Sequence, residues 1–180
     1  MSKLKAIDVA DYIRSRFHVL GETQLQKLVY YSQCWSLAWD GEPLFDDEIQ
    51  AWRNGPVVPA LRHSLECCPS GTSIESENAR ATIDAVLEFY GSMNGKELSK
   101  LSHEQRPWLE ARGDLPETQA SSRAIAPQIM CEWASDEVLV GNAVPTREAL
   151  RRREADVGQV ARLAKVAVNS WGRTLERLAA

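Results

Sequence analysis

The sequence lacks the short motifs that mark most metal-binding and nucleotide-binding proteins. Its four cysteines include no CxxC pair, and its three histidines stand far apart, with neither HxxxH nor HExxH spacing. A zinc site made of neighbouring ligands is therefore disfavoured. The glycines form neither GxGxxG nor GxxxxGK(S/T), so no glycine-rich loop is available to bind phosphate groups. We expect a protein that needs no cofactor and no metal.

The sequence contains no motif that is typical of a catalytic serine or cysteine. Ser32 and Cys34 lie in Tyr-Ser-Gln-Cys-Trp, which is not the GxSxG turn that exposes a catalytic serine and which contains no histidine. Asp46, Asp47 and Glu48 are consecutive and point in different directions, which favours a solvated turn over an acid–base pair. The sequence thus predicts that the protein is not an enzyme.

Long apolar runs are missing as well. None approaches the roughly 20 residues that cross a bilayer, and residues 1–11 carry charged and polar side chains where a secretory signal would be apolar. Hydrophobic residues make up 44% and charged residues 26% of the chain, as in ordinary globular proteins. We therefore expect a soluble cytoplasmic protein with no membrane partner.

Positive charge is scarce in most of the chain. The net charge is −4, and residues 145–180 contain eight basic and four acidic residues, a net +4, which leaves −8 for residues 1–144. General nucleic-acid binders usually present a basic surface to the phosphates, so that function is disfavoured. The protein is expected to be an acidic body followed by a basic tail.

Apolar residues recur at helical spacing along most of the chain. Asp8 fits the N-cap of a first helix, and Thr23 and Gln26 fit a capping box that begins a helix ending near Trp39. Pro56 suits the first turn of another helix. Further helices are predicted over residues 79–90, 95–103 and 107–112, and from Ser121 or Ser122 to about Trp133. The expected fold class is all-α, with at most a small β-hairpin or extended segment around residues 44–54.

Residues 144–180 form one amphipathic pattern, which we separate from a helical domain at residues 1–143. Apolar side chains recur three and four positions apart, as in a helix that packs on another surface. Three consecutive arginines, residues 151–153, either contact nucleic acid or form the solvated or protein-facing side of that helix. The residues expected to bind a partner are Arg152, Val157, Val160, Ala164, Trp171 and Leu175.

Aromatic residues are plentiful, with six tryptophans in the chain. Tyr30, Tyr31, Trp35 and Trp39 share one predicted helix, and Trp52 follows closely. Large rigid rings are typical of interface anchors, but they also fill cores, and both interpretations stay open here. Tyr30 and Tyr31 cannot face the same way on a helix, so at least one is expected to meet solvent, a partner or a polar network.

Three segments have an order and spacing that resemble a known family. They are IDVADYI at residues 7–13, LQKLVYYSQ at 25–33 and PLFDDEIQAWRNGPVVP at 43–59. Over residues 4 to about 66 this succession resembles the Panacea domain of SocA-like antitoxins, a family also described as phage-associated GepA-like proteins. Residues 98–108, with a Pro-Trp pair, resemble the looser second half of that domain.

The resemblance implies a mainly helical antitoxin that neutralises a toxin by direct protein contact. Together with the aromatic helix, the family motif assigns partner binding to Lys27, Tyr30, Tyr31, Trp35, Trp52, Asn54, Gly55, Pro56 and Val57. A motif is also retained for folding, and for Gly55 and Pro56 a backbone role is the favoured interpretation.

The function expected from the resemblance is that of a type II antitoxin. Its partner would be a cognate protein toxin encoded by the adjacent gene, and operator binding by the toxin complex is the one nucleic-acid role left open. The alternative is a proteolytic adaptor or phage-associated regulatory protein that bridges a target to a cellular protease, as one relative does with its toxin.

Overall fold

This computed structural model describes residues 4–64, 73–116 and 118–147. These residues contain seven helices and one two-stranded antiparallel sheet. The mainly helical fold class is confirmed. In chain order the elements are α1 (Ala6–Arg16), α2 (Glu22–Asp40), β1 (Gln50–Trp52), β2 (Gly55–Val57), α3 (Pro59–Ser64), α4 (Glu77–Tyr90), α5 (Gly95–His103), α6 (Arg106–Arg112) and α7 (Pro127–Leu139).

Helix α2 lies at the centre of the fold. It packs against α1, α4, α5, α7 and β2, and every residue from Gln24 to Leu37 is buried. A helix buried on all sides must satisfy its polar side chains internally, because water cannot reach them. No helix in the described ranges is long and apolar enough to cross a membrane.

The aromatic residues of α2 belong to the core. Tyr30, Tyr31 and Trp35 each have 0% of their surface exposed. The ring of Tyr31 stacks on that of Tyr90 with centroids 4.1 Å apart, and Trp35 lies 6.2 Å from Trp133. Of the two interpretations left open, the core interpretation holds for these three rings, because neighbouring helices cover them.

We expected Tyr30 or Tyr31 to meet solvent, a partner or a polar network, and Tyr31 does contact a polar group. Its hydroxyl donates a hydrogen bond to Gln105 Oε1 at 3.0 Å. The Tyr30 hydroxyl is buried beside Cys34, and burial raises the pKa of both side chains. Both groups therefore stay protonated at neutral pH, and the Cys34 thiol is a poor nucleophile.

Two helix starts differ from those expected. Asp8 is the third residue of α1, where its Oδ2 accepts a hydrogen bond of 2.8 Å from the backbone N–H of Lys5. Helix α2 begins after Gly21 without a side-chain cap, so the predicted capping box of Thr23 and Gln26 is wrong. The side-chain amide of Gln26 instead binds the backbone of Val58, just after the hairpin.

The hairpin lies slightly later than the expected segment at residues 44–54. Pro56 lies in β2, so the prediction that it begins a helix is wrong, and Pro59 begins α3 in its place. Gly55 begins β2 with a φ of +98°, in a region that favours glycine. The paired residues are Gln50 and Val57, Ala51 and Pro56, and Trp52 and Gly55.

The chain before α7 is extended rather than helical. The backbone N–H of Ala51 donates to the carbonyl of Arg123, and that of Ile125 donates to Ile49, both at 2.8 Å. The helix expected from Ser121 or Ser122 therefore starts only at Pro127, because the intervening backbone is hydrogen-bonded beside β1.

Most of the tail, residues 148–180, lies outside the described residues. This holds for all six of its predicted contact residues: Arg152, Val157, Val160, Ala164, Trp171 and Leu175. Their roles, and the division into domains at residues 1–143 and 144–180, stay predictions.

Candidate functional site

Lys27 of α2 lies directly beneath the hairpin turn. Its side chain is 1% exposed, and its Nζ donates a hydrogen bond of 2.9 Å to the carbonyl oxygen of Pro56. A Cβ at Gly55 would come within 2.8 Å of Lys27 Nζ and 2.9 Å of Ser102 Oγ. Both this close approach and the positive φ favour glycine at position 55.

The charge state of Lys27 is set by its burial. Loss of solvent lowers the pKa of its ammonium group from 10.5 to about 7. The neutral and charged forms therefore have similar populations near neutral pH. Either form can donate a hydrogen bond to the Pro56 carbonyl, so this contact is compatible with both.

Gln26, the neighbour of Lys27 on α2, holds the chain just after the hairpin. Its Oε1 accepts a hydrogen bond of 2.9 Å from the backbone N–H of Val58, and its Nε2 donates to the Val58 carbonyl at 3.3 Å. The amide thus pairs with both backbone groups of one residue. The Val58 carbonyl also accepts from the backbone N–H groups of Leu61 and Arg62, so the contact matters most for the buried N–H of Val58, which would otherwise lack an acceptor.

Helices α5 and α6 hold the other side of the hairpin. Ser99 Oγ donates to the carbonyl of Asn54 at 2.7 Å, and Trp108 Nε1 donates to that of Trp52 at 2.9 Å. The buried Arg112 also donates from its guanidinium to the carbonyl of Ala51 at 3.3 Å. Side chains from three helices therefore fix the backbone of the hairpin.

The tip of the hairpin faces solvent. We define the tip as Trp52, Arg53 and Asn54, of which Trp52 is half-buried and the other two are exposed. The guanidinium of Arg62 lies 5.4 Å from the centroid of the Trp52 ring, and Trp52 Nε1 donates to Gln50 Oε1 at 2.8 Å. The tip thus presents three side chains with exposed surface on a fixed backbone.

A cleft of about 1280 Å³ opens beside the tip. We call it the α5 cleft, because α5 supplies much of its lining; the rest comes from residues 20–24, Asn54 of the tip, and residues 108–115. The ring of His103 stacks on that of Trp108 at 4.2 Å, and the Arg112 guanidinium lies 4.9 Å from the Trp108 ring centroid. These contacts give the cleft a rigid aromatic lining.

The predicted motif residues fall into two groups. Lys27, Gly55 and Pro56 are buried under the tip, whereas Trp52, Asn54 and Val57 retain exposed surface. The two groups lie next to each other in the hairpin region, but only the second group can touch a partner directly. Tyr30, Tyr31 and Trp35 lie in the core and can act only through packing.

Sequence reasoning missed the residues that hold the hairpin from outside the motif. Trp108 was noticed only as part of a Pro-Trp pair, and Gln26 was interpreted as a helix cap. Ser99, Ser102 and Arg112 carried no signal, since a serine or arginine on a short helix is usually solvated.

The site has the features of a binding surface. In the described ranges, no group of three or more His, Cys, Asp and Glu side chains is arranged to hold a metal ion. What the residues offer is a fixed backbone, exposed polar and aromatic side chains at the tip, and a neighbouring cleft. This arrangement suits recognition of another molecule.

The fold and site define a helical scaffold that presents a clamped hairpin, that is, a hairpin whose backbone is held by side chains of α2, α5 and α6. Comparison with known protein families connects this scaffold with one of them. The family described as antitoxin SocA-like, Panacea domain, matches residues 25–109. The resemblance seen in the sequence is thereby confirmed over these residues, which include most of α2, the hairpin, α5 and Trp108. No curated protein and no solved structure matches the chain significantly.

Proposed function

We propose that the protein is an antitoxin of a type II toxin–antitoxin system, located in the cytoplasm, that neutralises a cognate protein toxin by direct binding. The observation that carries this proposal is the match of residues 25–109 to the SocA-like antitoxin family. The clamped hairpin lies inside the matched residues, which supports the choice of its tip as the contact surface.

The geometry of the tip suits tight binding. Association is weakened when loops and side chains must be ordered on contact, so a backbone that is already fixed loses less freedom. The carbonyls of Trp52 and Asn54 already accept hydrogen bonds from Trp108 and Ser99. Recognition therefore falls mainly to the side chains of Trp52, Arg53 and Asn54.

The residues of the motif take different roles in this proposal. Trp52, Asn54 and Val57 contact the toxin, and Lys27, Gly55 and Pro56 hold the tip in place. The C-terminal residues Arg152, Val157, Val160, Ala164, Trp171 and Leu175 supply a second contact, as their amphipathic pattern favours.

Expression of the adjacent gene with and without this protein tests the function. The adjacent gene alone should arrest growth, and co-expression should restore growth and yield a stable complex on purification. Arg53→Ala and Asn54→Ala should weaken rescue, whereas Arg14→Ala, an exposed arginine on α1, should leave it unchanged. Toxicity that persists with the wild-type protein, together with no complex, would refute the proposal.

A second function, that of a proteolytic adaptor or phage-associated regulator, is favoured by one further feature. Val138, Leu139 and Val140 at the end of α7 are 49%, 82% and 70% exposed, and none of them lines the α5 cleft. Two separate surfaces suit a protein that bridges a target and a cellular protease. Faster toxin degradation in the presence of this protein, abolished by Leu139→Asp, would favour the adaptor over simple occlusion.

A further inference from the structure

The α5 cleft contains exposed apolar surface that the fold itself does not cover. Among the described residues, five large hydrophobic side chains are exposed, and two of them, Leu20 at 68% and Leu109 at 48%, line this cleft. Single exposed leucines are ordinary, but two in one concave site beside an aromatic lining offer a contact area for apolar side chains.

The same cleft contains an excess of uncompensated positive charge. Lys96 and Lys100 are four residues apart on α5, so they share a helix face; both are exposed, and within the described ranges neither forms an ion pair. Of the two acidic residues in the lining, Glu22 lies 3.6 Å from the guanidinium of Arg62. Glu104 is therefore the acidic lining residue that remains against two lysines in the same lining, in a chain whose net charge is −4.

The position of Lys96 is unfavourable for the helix that carries it. It lies in the first turn of α5, where the helix dipole disfavours a cation and where Asn94 and Glu97 form the capping contacts. Helix formation therefore does not explain a lysine at this position. An acidic ligand in the cleft would turn this unfavourable charge into a favourable contact.

The size and form of the cleft indicate the kind of ligand. Small-molecule sites usually enclose about 300–1,000 Å³, whereas this cleft has about 1280 Å³ and lies open beside the tip. Trp108, 4% exposed, is fixed by its hydrogen bond to the Trp52 carbonyl, so part of the lining is already in place before binding. An extended chain segment with several side chains fits such a site better than a compact metabolite.

We propose that the α5 cleft is a docking site for an acidic, leucine-containing peptide segment of a protein partner. Carboxylates of that segment contact Lys96 and Lys100, and its apolar side chains pack on Leu20 and Leu109. The assignment of the segment to the toxin rests on the proposed function. The chemistry of the cleft does not depend on that assignment.

A defined peptide tests the docking site without the toxin. The probe is a peptide of about ten residues made of Glu-Glu-Leu repeats, titrated into the full chain by calorimetry, with a Lys-Lys-Leu peptide as the charge control. Saturable binding of the acidic peptide alone is expected. Lys96→Glu with Lys100→Glu should weaken it roughly tenfold or more, since two attractive contacts become repulsive.

Matched variants outside the cleft separate local from general effects. Lys5→Glu should leave peptide affinity unchanged, and Leu109→Asp should weaken binding while Leu139→Asp does not. Circular dichroism checks that each variant is folded. No binding of the acidic peptide, equal binding of the basic peptide, or equal loss in the cleft and control variants would overturn the proposal.

The toxin arm of the experiment separates this proposal from the proposed function. If the wild-type chain neutralises the toxin and the double lysine variant does so equally well, the toxin does not use the cleft and its assignment as the partner is overturned. If the acidic peptide binds as expected but no toxin is neutralised, the docking site is supported and the antitoxin function fails.

Discussion

The buried amine of Lys27 lies 2.9 Å from the carbonyl oxygen of Pro56, so the central helix contacts the hairpin directly through a lysine. Removing an ammonium group from water is costly, which is why lysines are rarely buried to this degree. The contact connects two parts of the sequence motif that are separated by 29 residues. It explains why the motif contains both a lysine on a buried helix and a Gly-Pro pair.

The free energy of unfolding should depend on pH through Lys27. The pKa of Lys27 is about 7 in the folded protein and 10.5, the ordinary value of a lysine, in the unfolded chain, so between these values the unfolded chain binds more protons. Stability from this group therefore rises with pH above about 7, by at most about 1.4 kcal/mol per pH unit. Urea unfolding at pH 7 and pH 9 measures the effect.

Lys27→Met should remove this pH dependence, whereas Lys96→Met, at an exposed position, should retain it. The variant also leaves the Pro56 carbonyl without its donor, at a cost of about 1–3 kcal/mol that does not vary with pH. An unchanged slope in Lys27→Met would show that the lysine is not desolvated as described.

Gly55→Ala should destabilise the protein more than an alanine at another glycine of positive φ. A Cβ at Gly55 meets Lys27 and Ser102 at under 3 Å, whereas at Gly141, with a φ of +76°, nothing lies within 4 Å. Both variants cost about 1 kcal/mol of backbone strain, and the contact at Gly55 should add roughly 1–3 kcal/mol. Thermal unfolding of the two variants measures the difference, and equal losses would contradict the close approach.

Gln26→Ala should cost roughly 1–3 kcal/mol, because the buried backbone N–H of Val58 loses its acceptor. The Val58 carbonyl keeps two backbone N–H donors from α3. Thr23→Ala is the informative comparison. A true N-cap would lose about 1 kcal/mol on substitution, but Thr23 is not a cap here, so its loss should be near zero. Denaturant unfolding of both variants decides between the hairpin contact and the capping box.

Trp108→Phe should loosen the hairpin while keeping most of the ring packing. The change removes the Nε1 donor to the Trp52 carbonyl, which is worth about 1 kcal/mol. Amide exchange at Trp52 and Gly55, the paired residues that close the turn, should accelerate. Exchange in α4, which is not among the helices that hold the hairpin, should not. Uniform acceleration across the chain would indicate a global loss of stability instead.

The elements that follow local rules could be predicted from the sequence. The helices at α4, α5 and α6 were expected almost where they occur, because apolar spacing and caps are local signals. The helix expected from Ser121 or Ser122 exists, but its predicted start was wrong, since pairing of this stretch beside β1 is a long-range contact. Pro56 was misplaced for the same reason.

The site was predictable only in part. The motif identified the neighbourhood of Lys27 and Gly55, but not which of its residues are buried. Periodicity cannot show that α2 is covered on every side, so for Tyr30 and Trp35 the core and interface interpretations both stayed open. The contribution of Ser99 and Arg112 arises from tertiary placement alone, which no spacing of residues indicates.

The most direct test of the account is calorimetric titration of the adjacent gene's product into the full chain. The account predicts saturable binding by the wild-type protein, and binding weakened at least roughly tenfold when Arg53 and Asn54 are both changed to alanine. Equal affinity in that folded double variant would exclude the tip as the contact surface. No binding by the wild-type protein would contradict direct neutralisation itself.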